Sequence, residues 1–389
     1  MKILHTADWH LGAKLEGRDR TEEQAEIINE IAKIADSYQV NIVVIAGDVF
    51  HNSVPTAAAE DLFFDAITKL SDGGDRLVFV LPGNHDDSLR LGASRPLALK
   101  QNIVIASQSV DISKVRQDKK TRIIDAGEGF LRVKCGNEEC VIAYLPFISS
   151  AKCKELAGGD FNYEQSVKVL GDKCAEHFST EAFNIFVSHL FVAGGKFGEG
   201  DQILVGEALA VSPECLPKKA HYIALGHLHR TQKIGDNIYY SGSATSLRFK
   251  DGRPKVLIVE GDKSGVRDVS EVEIKSACSL VKVKVSSIAF AYKELSNLYP
   301  NELVELTIEQ NSPLKANEVS DLKKQFPNLV SVRLNLMPSE GEQKSVTNRR
   351  SLSDKDLFIE FYKHTTGAEP DSRLVEMFLE IRGNVDVTN

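Results

Sequence analysis

The sequence predicts an α/β sandwich with its helices on the outside, and three observations carry that prediction. Short apolar runs alternate with longer amphipathic stretches along most of the chain. No run approaches the roughly 20 apolar residues that span a bilayer. Five polar motifs each follow an apolar run within a few residues: Asp8-Trp9-His10, Gly47-Asp48, Gly83-Asn84-His85-Asp86, His189 and Gly226-His227-Leu228-His229. In open α/β sheets, loops converge and ligands bind at the carboxyl ends of the strands. Such a fold makes neighbours of motifs that are far apart in the chain.

The runs Ile3–Ala7, Ile42–Ala46, Leu77–Leu81, Val141–Leu145, Ile185–Ser188, Ile223–Leu225, Ile238–Ser241 and Val256–Val259 predict strands. Between the first two, Thr21–Tyr38 carries Ala25, Ile28, Ile31, Ala32 and Ala35 at helical spacing. Thr56–Leu70 predicts a second helix with Leu62, Phe63, Ala66 and Leu70 on its inner face. Strand–helix–strand alternation sets the class, and these elements make a first domain over residues 1–275.

Residues 276–338 form a second pattern. Leu280–Val285, Leu303–Ile308 and Leu329–Leu336 read as strands, separated by helical Tyr292–Leu298 and Ala316–Phe326. This small β-α-β-α-β unit lacks metal-ligand clusters. A polar linker follows over 339–352. Within 353–389, Ser353 and Asp356 can open a helix with Leu357, Phe358, Phe361 and Tyr362 on one face, stopped by Gly367. Asp371 opens another with Leu374, Val375, Phe378, Leu379 and Ile381. Two such apolar faces need a cover, either the main body or a partner.

Composition narrows the class. The 389 residues, 42% of them hydrophobic, describe an ordinary globular chain. Six cysteines without a Cys-x-x-Cys pair read as reduced thiols, hence a cytoplasmic protein. The polar opening Met1-Lys2-Ile3-Leu4-His5 leaves no secretion leader expected. A net charge of −8 argues against gripping DNA by phosphate neutralisation alone. A DNA substrate would need metals and a partner to supply the attraction.

The motifs carry the chemistry. Asp8 and His10 are two residues apart, so an extended segment turns both to one side. A carboxylate oxygen and an imidazole nitrogen make half a site for Mn²⁺ or Fe²⁺. Alone, the pair fits a turn cap beside a surface histidine better than a metal site. Asp48 emerges from the apolar Ile42–Ala46, where an unpaired charge costs on the order of several kcal/mol. A carboxylate bridging two cations removes that cost. Asn84 offers an amide oxygen, and Asp86 is expected to orient His85 through its second ring nitrogen. His227 and His229 repeat the two-residue spacing. His189 alone reads as a core histidine; beside the others it supplies another imidazole. Together these donors suit a pair of transition-metal ions rather than one structural zinc.

Over Met1–Glu260 the motifs resemble the calcineurin-like metallophosphoesterase superfamily. The resemblance implies a four-layer α/β/β/α sandwich with a small α+β capping domain and C-terminal helices. It implies one metal on Asp8, His10, Asp48 and His229, and a second on Asp48, Asn84, His189 and His227. Two such ions would polarise a phosphate and activate water for in-line attack. His85 would be the non-ligand histidine that stabilises charge or protonates the leaving group.

The residues around the motifs refine this. Phosphatases of the superfamily continue the second motif toward Asp-Arg, whereas here it reads Gly47-Asp48-Val49-Phe50-His51. His51 and the opening Leu4-His5-Thr6-Ala7-Asp8-Trp9-His10-Leu11-Gly12 are similar to the SbcD family of DNA nucleases. Tyr240-Ser241-Gly242-Ser243, and a tail with Leu357-Phe358, Phe361-Tyr362, Thr366-Gly367 and Pro370, extend the resemblance over nearly the whole chain.

That resemblance implies a Mn²⁺-dependent double-strand 3′–5′ exonuclease and single-strand or hairpin endonuclease. Its partner would be the coiled-coil ATPase SbcC, and its role the processing of DNA ends and hairpins in repair, replication and recombination. Two Mn²⁺ ions are implied, with Mg²⁺ or Fe²⁺ as substitutes. Residues 276–338 would be the DNA-capping domain and 353–389 the SbcC-binding helices. His51 would stabilise the attacked phosphorus. A homodimer within a heterotetramer, away from membranes, completes the picture. Lys14, Arg18, Arg20, Asn52, Arg90 and Arg95 lie in loops near the motifs and could touch phosphates. Any one of them also fits a solvated loop residue. The alternative, a small-molecule phosphodiesterase or nucleotidase, needs neither the second domain nor the helices. A non-catalytic scaffold would have lost ligand residues.

Overall fold

Strands with no polar position need a cover on both faces, and this requirement organises the main part of the molecule. The structure, a computed structural model, describes residues 1–107, 110–115, 117–196, 209–247, 249, 253–298, 302–336, 353–366 and 369–385. The chain divides into two compact units, Met1–Ile308 with Leu314–Arg333, and Glu309–Pro313 with Leu334–Asn389.

The chain opens with β1 (Lys2–Thr6), α1 (Thr21–Ser37), β2 (Ile42–Ala46), α2 (Ala57–Leu70) and β3 (Leu77–Leu81). Two one-turn helices, α3 (Ser88–Leu91) and α4 (Arg95–Ala98), lead to β4 (Ile103–Ile105). Next come β5 (Thr121–Gly127), β6 (Phe130–Cys135), β7 (Glu138–Leu145), α5 (Ser150–Ala157), α6 (Tyr163–Ala175) and β8 (Phe183–His189). β9 (Tyr222–Gly226), β10 (Gln232–Ile234), β11 (Ile238–Tyr240), β12 (Lys255–Asp262) and β13 (Gly265–Glu273) follow. Last are β14 (Leu280–Val285), α7 (Ile288–Leu298), β15 (Leu303–Gln310), α8 (Ala316–Gln325), β16 (Leu329–Leu336), α9 (Asp354–Thr366) and α10 (Ser372–Val385).

One sheet has six strands in the order β13-β12-β1-β2-β3-β4, and another has seven, β10-β11-β9-β8-β7-β6-β5. β1 to β4 run parallel, with Ile3 opposite Ile42 and Ile42 opposite Leu77. β7, β8, β9 and β11 are also parallel. Side chains alternate between faces. Ile42, Val44, Leu77 and Phe79 share a core with Ile142, Ile185, Val187 and Ala224 of the other sheet. Val43, Ile45, Val78 and Val80 pack instead with Ile28 and Ile31 of α1 and Phe63 and Ala66 of α2. On the far side, Ala143, Phe186 and Leu225 pack with Tyr163 and Val167 of α6. The layers are thus helices, sheet, sheet, helices, the sandwich the sequence predicts.

Thr56 caps α2 by accepting the Ala59 N–H, and Asn162 with Gln165 forms a capping box on α6. A three-stranded sheet, β14-β15-β16, carries α7 and α8. Leu303 and Val330 of this sheet pack with Leu15, in the loop after β1. In the second unit, α9 and α10 stack Phe358 on Phe378 with centroids 4.3 Å apart. The expected linker and the helix stop at Gly367 lie outside the described residues. Among the described residues no helix is long and apolar enough to cross a membrane.

Candidate metal centre

The ends of β1, β2, β3, β8 and β9 continue into the five motifs, and their loops are bonded to one another. Asp8 N–H donates to Gly47 O, His10 N–H to Asp48 O and Leu11 N–H to Val49 O, at 2.9–3.0 Å. Asp8, His10, Asp48 and His227 have φ of 52°, 46°, 49° and 101°. The extended Asp8–His10 segment expected from spacing is therefore replaced by two left-handed residues. The reason is the continued backbone pairing between these loops beyond the strand ends. A left-handed conformation costs a non-glycine residue roughly 1–2 kcal/mol and persists where surroundings over-determine it. Close approach also dictates glycine at two positions. A Cβ on Gly226 would lie 1.9 Å from the Ala46 carbonyl, and one on Gly83 2.2 Å from Asp48 Oδ1.

The structure brings together all seven residues considered as ligands. His10 Nε2 and His229 Nε2 are 3.2 Å apart. Asn84 Oδ1 lies 2.9 Å from His189 Nε2 and 3.1 Å from His227 Nδ1. Asp48 Oδ2 stands between the two groups, 3.6 Å from His10 Nε2 and 3.5 Å from His189 Nε2. One ligand atom each from Asp8, His10 and His229 falls within 4.8 Å of the others, as it does for Asp8, Asp48 and His189. Lone pairs converging this closely repel unless a proton or cation lies among them. The mix of imidazole, carboxylate and amide oxygen fits divalent metal ions.

The sequence model of the family described as calcineurin-like phosphoesterase matches residues 1–231. The SbcD subunit of the nuclease SbcCD from Bacillus subtilis (strain 168) is 32% identical over 402 aligned residues, covering 99% of each chain. The chain belongs to the SbcD family of calcineurin-like phosphoesterases. Two more members with the same name are similar. That of Rhodobacter capsulatus is 31% identical over 64% of this chain and 62% of its own. That of Escherichia coli K12 is 27% identical over 79% and 78%.

Around the donors this SbcD-family chain sets protonation by burial. Burial drives His227 down to about 3 and His10 well below the ordinary histidine value, so both are neutral and able to bind a cation. Burial also opposes charge on His189 and Asp48, but their mutual attraction wins. His189 rises to about 9, and Asp48 stays far below the ordinary carboxylate range. His189 Nδ1 lies 2.9 Å from Ala46 O, which aims Nε2 at the centre.

His85 and His51 form a stacked pair beside His10, ring centroids 5.9 Å apart. His85 Nδ1 meets the His51 carbonyl at 2.8 Å, and His85 Nε2 is 4.0 Å from Asp48 Oδ2. The expected Asp86–His85 pairing is thus corrected. Asp86 instead accepts the backbone N–H groups of Gly83, Val49 and Phe50 at 2.9–3.1 Å. Three converging N–H donors outcompete a ring already satisfied by a carbonyl. Asp48 Oδ1 in return accepts the His85 N–H at 2.9 Å. Each aspartate therefore ties down the other's loop.

Among the residues considered for DNA, Lys14, Arg18, Asn52 and Arg90 are exposed and Arg95 is half-buried. Arg18 donates to Pro327 O at 2.6 Å, and Arg90 pairs with Glu60 at 2.9 Å. Arg20 requires a correction. Its guanidinium is buried, bidentate on Glu23 at 2.7 Å and bonded to Ser246 O, so it is turned away from any phosphate. The motif reading missed Ser243, whose hydroxyl lies 2.6 Å from both the Asp8 and the Thr245 carbonyl oxygens. Its place in Tyr240-Ser241-Gly242-Ser243 was the available signal.

Proposed function

We propose that this chain is the nuclease subunit of a DNA-end-processing complex, hydrolysing phosphodiesters with two Mn²⁺ ions beside a coiled-coil ATPase of the SbcC kind. The observation that carries the reading is Asp48, a buried carboxylate between two imidazole sets. It lies in a chain aligned end to end with a nuclease subunit. On this reading Asp8, His10, Asp48 and His229 hold one ion, and Asp48, Asn84, His189 and His227 the other. Divalent ions there supply charge neutralisation of the phosphate and an acidified water.

The chain's own residues do the rest. With Nδ1–H on the His51 carbonyl, His85 presents Nε2 to the centre and, when protonated, delivers a proton to the leaving oxygen. Burial and the charge of His85 lower the pKa of His51. His51 therefore serves as a neutral hydrogen-bond donor to the phosphate. Lys14, Asn52 and Arg90 are the exposed candidates for backbone contacts, with Arg18 and Arg95 beside them. A net charge of −8 leaves much of the attraction to the cations and the ATPase. The assembly is a cytoplasmic heterotetramer built on a homodimer of this chain, acting on DNA ends and hairpins in repair, replication and recombination.

The test is to incubate the purified chain with Mn²⁺ and an end-labelled duplex, alone and with its ATPase. Cleavage that disappears in His85→Ala while two Mn²⁺ still bind supports the reading. Hydrolysis confined to nucleotides or simple phosphate esters would overturn it in favour of a small-molecule phosphodiesterase.

A further inference from the structure

A residue outside every motif holds the loop that carries His10. Gln24 lies on the stripe of α1 that otherwise buries Ile27, Ile28, Ile31 and Ala35, and it is 1% exposed. A polar side chain in that position is costly unless its amide is paired. It is paired at both ends: Oε1 accepts the Gly12 N–H at 3.0 Å, and Nε2 donates to the His10 carbonyl at 3.1 Å. The loop alternates left-handed residues at Asp8, His10 and Gly12, with φ of 52°, 46° and 84°. Such an alternation takes successive peptide groups off any regular ladder, so their partners decide its shape. The carbonyls of Gly47, Asp48 and Val49 hold one side through Asp8, His10 and Leu11. Gln24 holds the other.

We propose that Gln24 is a positioning residue for the cation site that contains His10, an inference resting on the two-ion reading above. The loop asks for one donor and one acceptor on a single side chain, and only an amide of this length supplies both. Glutamate keeps the acceptor for Gly12 N–H but sets a carboxylate oxygen against the His10 carbonyl. Methionine fills similar space and offers neither bond. Glu23, on the same helical turn, is a built-in control. It binds Arg20 at 2.7 Å and accepts the Cys278 N–H at 2.9 Å, serving the segment before β14 rather than the metal loop.

The experiment counts Mn²⁺ ions on the full-length chain by calorimetric titration, with electron paramagnetic resonance as a second readout and a thermal melt of each metal-free variant. Wild type is expected to bind two. Q24M and Q24E are expected to weaken one site about 10–100-fold, the range for residues that orient a ligand, and to leave the other unchanged. E23Q is expected to leave both sites unchanged. Hydrolysis of bis(p-nitrophenyl) phosphate should lose kcat in the Gln24 variants with little change in KM. Q24E, which retains one bond, serves if Q24M does not fold. Gln24 variants that bind two ions as wild type does would overturn the inference. Equal losses in E23Q would also overturn it, because general stability of α1 would then explain both. A wild-type chain that binds no Mn²⁺ would overturn the two-ion reading itself, and the inference with it.

Discussion

Asp86 shows how a side chain can control a site it never enters. Its Oδ2 accepts from Val49 and Gly83 and its Oδ1 from Phe50, joining the loops after β2 and β3. Asparagine offers one acceptor oxygen and turns an NH₂ toward a backbone N–H. Asp86→Asn is therefore expected to lose about 1–3 kcal/mol of stability and about tenfold in Mn²⁺ affinity. Urea unfolding and a Mn²⁺ titration check the two effects separately. Gly83→Ala is the harsher change, because its Cβ would lie 2.2 Å from Asp48 Oδ1. Displacing Asp48 should abolish both Mn²⁺ binding and diester hydrolysis, which a variant that retains either would contradict. At this scale the candidate ligands were legible jointly: each motif alone has a structural reading, but five of them after apolar runs point to one site. Asp86 was misread because its partners are backbone groups of another loop, which no residue pattern records. Arg20 was misread because loop arginines are usually solvated, and only the fold reveals Glu23 and Ser246 beside it.

The elements divide the same way. β2 and β3 were legible to the residue because every position is apolar and flanked by polar loops. β13 was not: it is an edge strand with much of its surface exposed, and Arg267, Asp268, Glu271 and Glu273 break up its apolar pattern. β10 has three residues at an edge of the seven-stranded sheet, too few for a pattern. α6 buries Ser166 and Gly171 beside Val167, which blurs its apolar face. What no pattern contains is the pairing between sheets. His5 of β1 and Tyr222 of β9 are both fully buried and meet at 2.9 Å, Nδ1 to hydroxyl, across the sandwich. Burial pushes His5 from 6.5 down to about 3. A histidine lowered in the folded state binds its proton more readily when unfolded. Its contribution is therefore intact above pH 6.5 and lost as pH falls from there toward 3. His5→Phe should cost about 1–3 kcal/mol at pH 7 by orphaning the Tyr222 hydroxyl. It should also remove about 3 kcal/mol of the acid sensitivity between pH 6.5 and pH 4, at about 1.36 kcal/mol per unit. Urea midpoints measured across that range decide it; parallel slopes for the two proteins would refute the account.

For the whole molecule the balance at issue is between charge and apolar surface. On the proposed function, a chain of net charge −8 needs help in reaching DNA. The second unit offers a place for that help. There α9 and α10 stack Phe358 on Phe378 and bury Val375, yet leave Phe361 67% and Met377 51% exposed. Two helices that settle part of their apolar surface on each other and expose the remainder fit a groove on another chain. No motif residue belongs to this unit, so charges placed on Phe361 and Met377 test the proposed partner without altering a candidate ligand. The double variant Phe361→Glu, Met377→Glu is accordingly expected to keep wild-type Mn²⁺ binding and bis(p-nitrophenyl) phosphate hydrolysis. If the proposed coiled-coil ATPase docks there, the variant should lose co-purification with it, and cleavage of a labelled duplex should fall to the rate of the chain alone. Retained co-purification would place the ATPase contact elsewhere. Lost diester hydrolysis would mean that the helices support the metal centre itself, and the two outcomes are read in a single preparation.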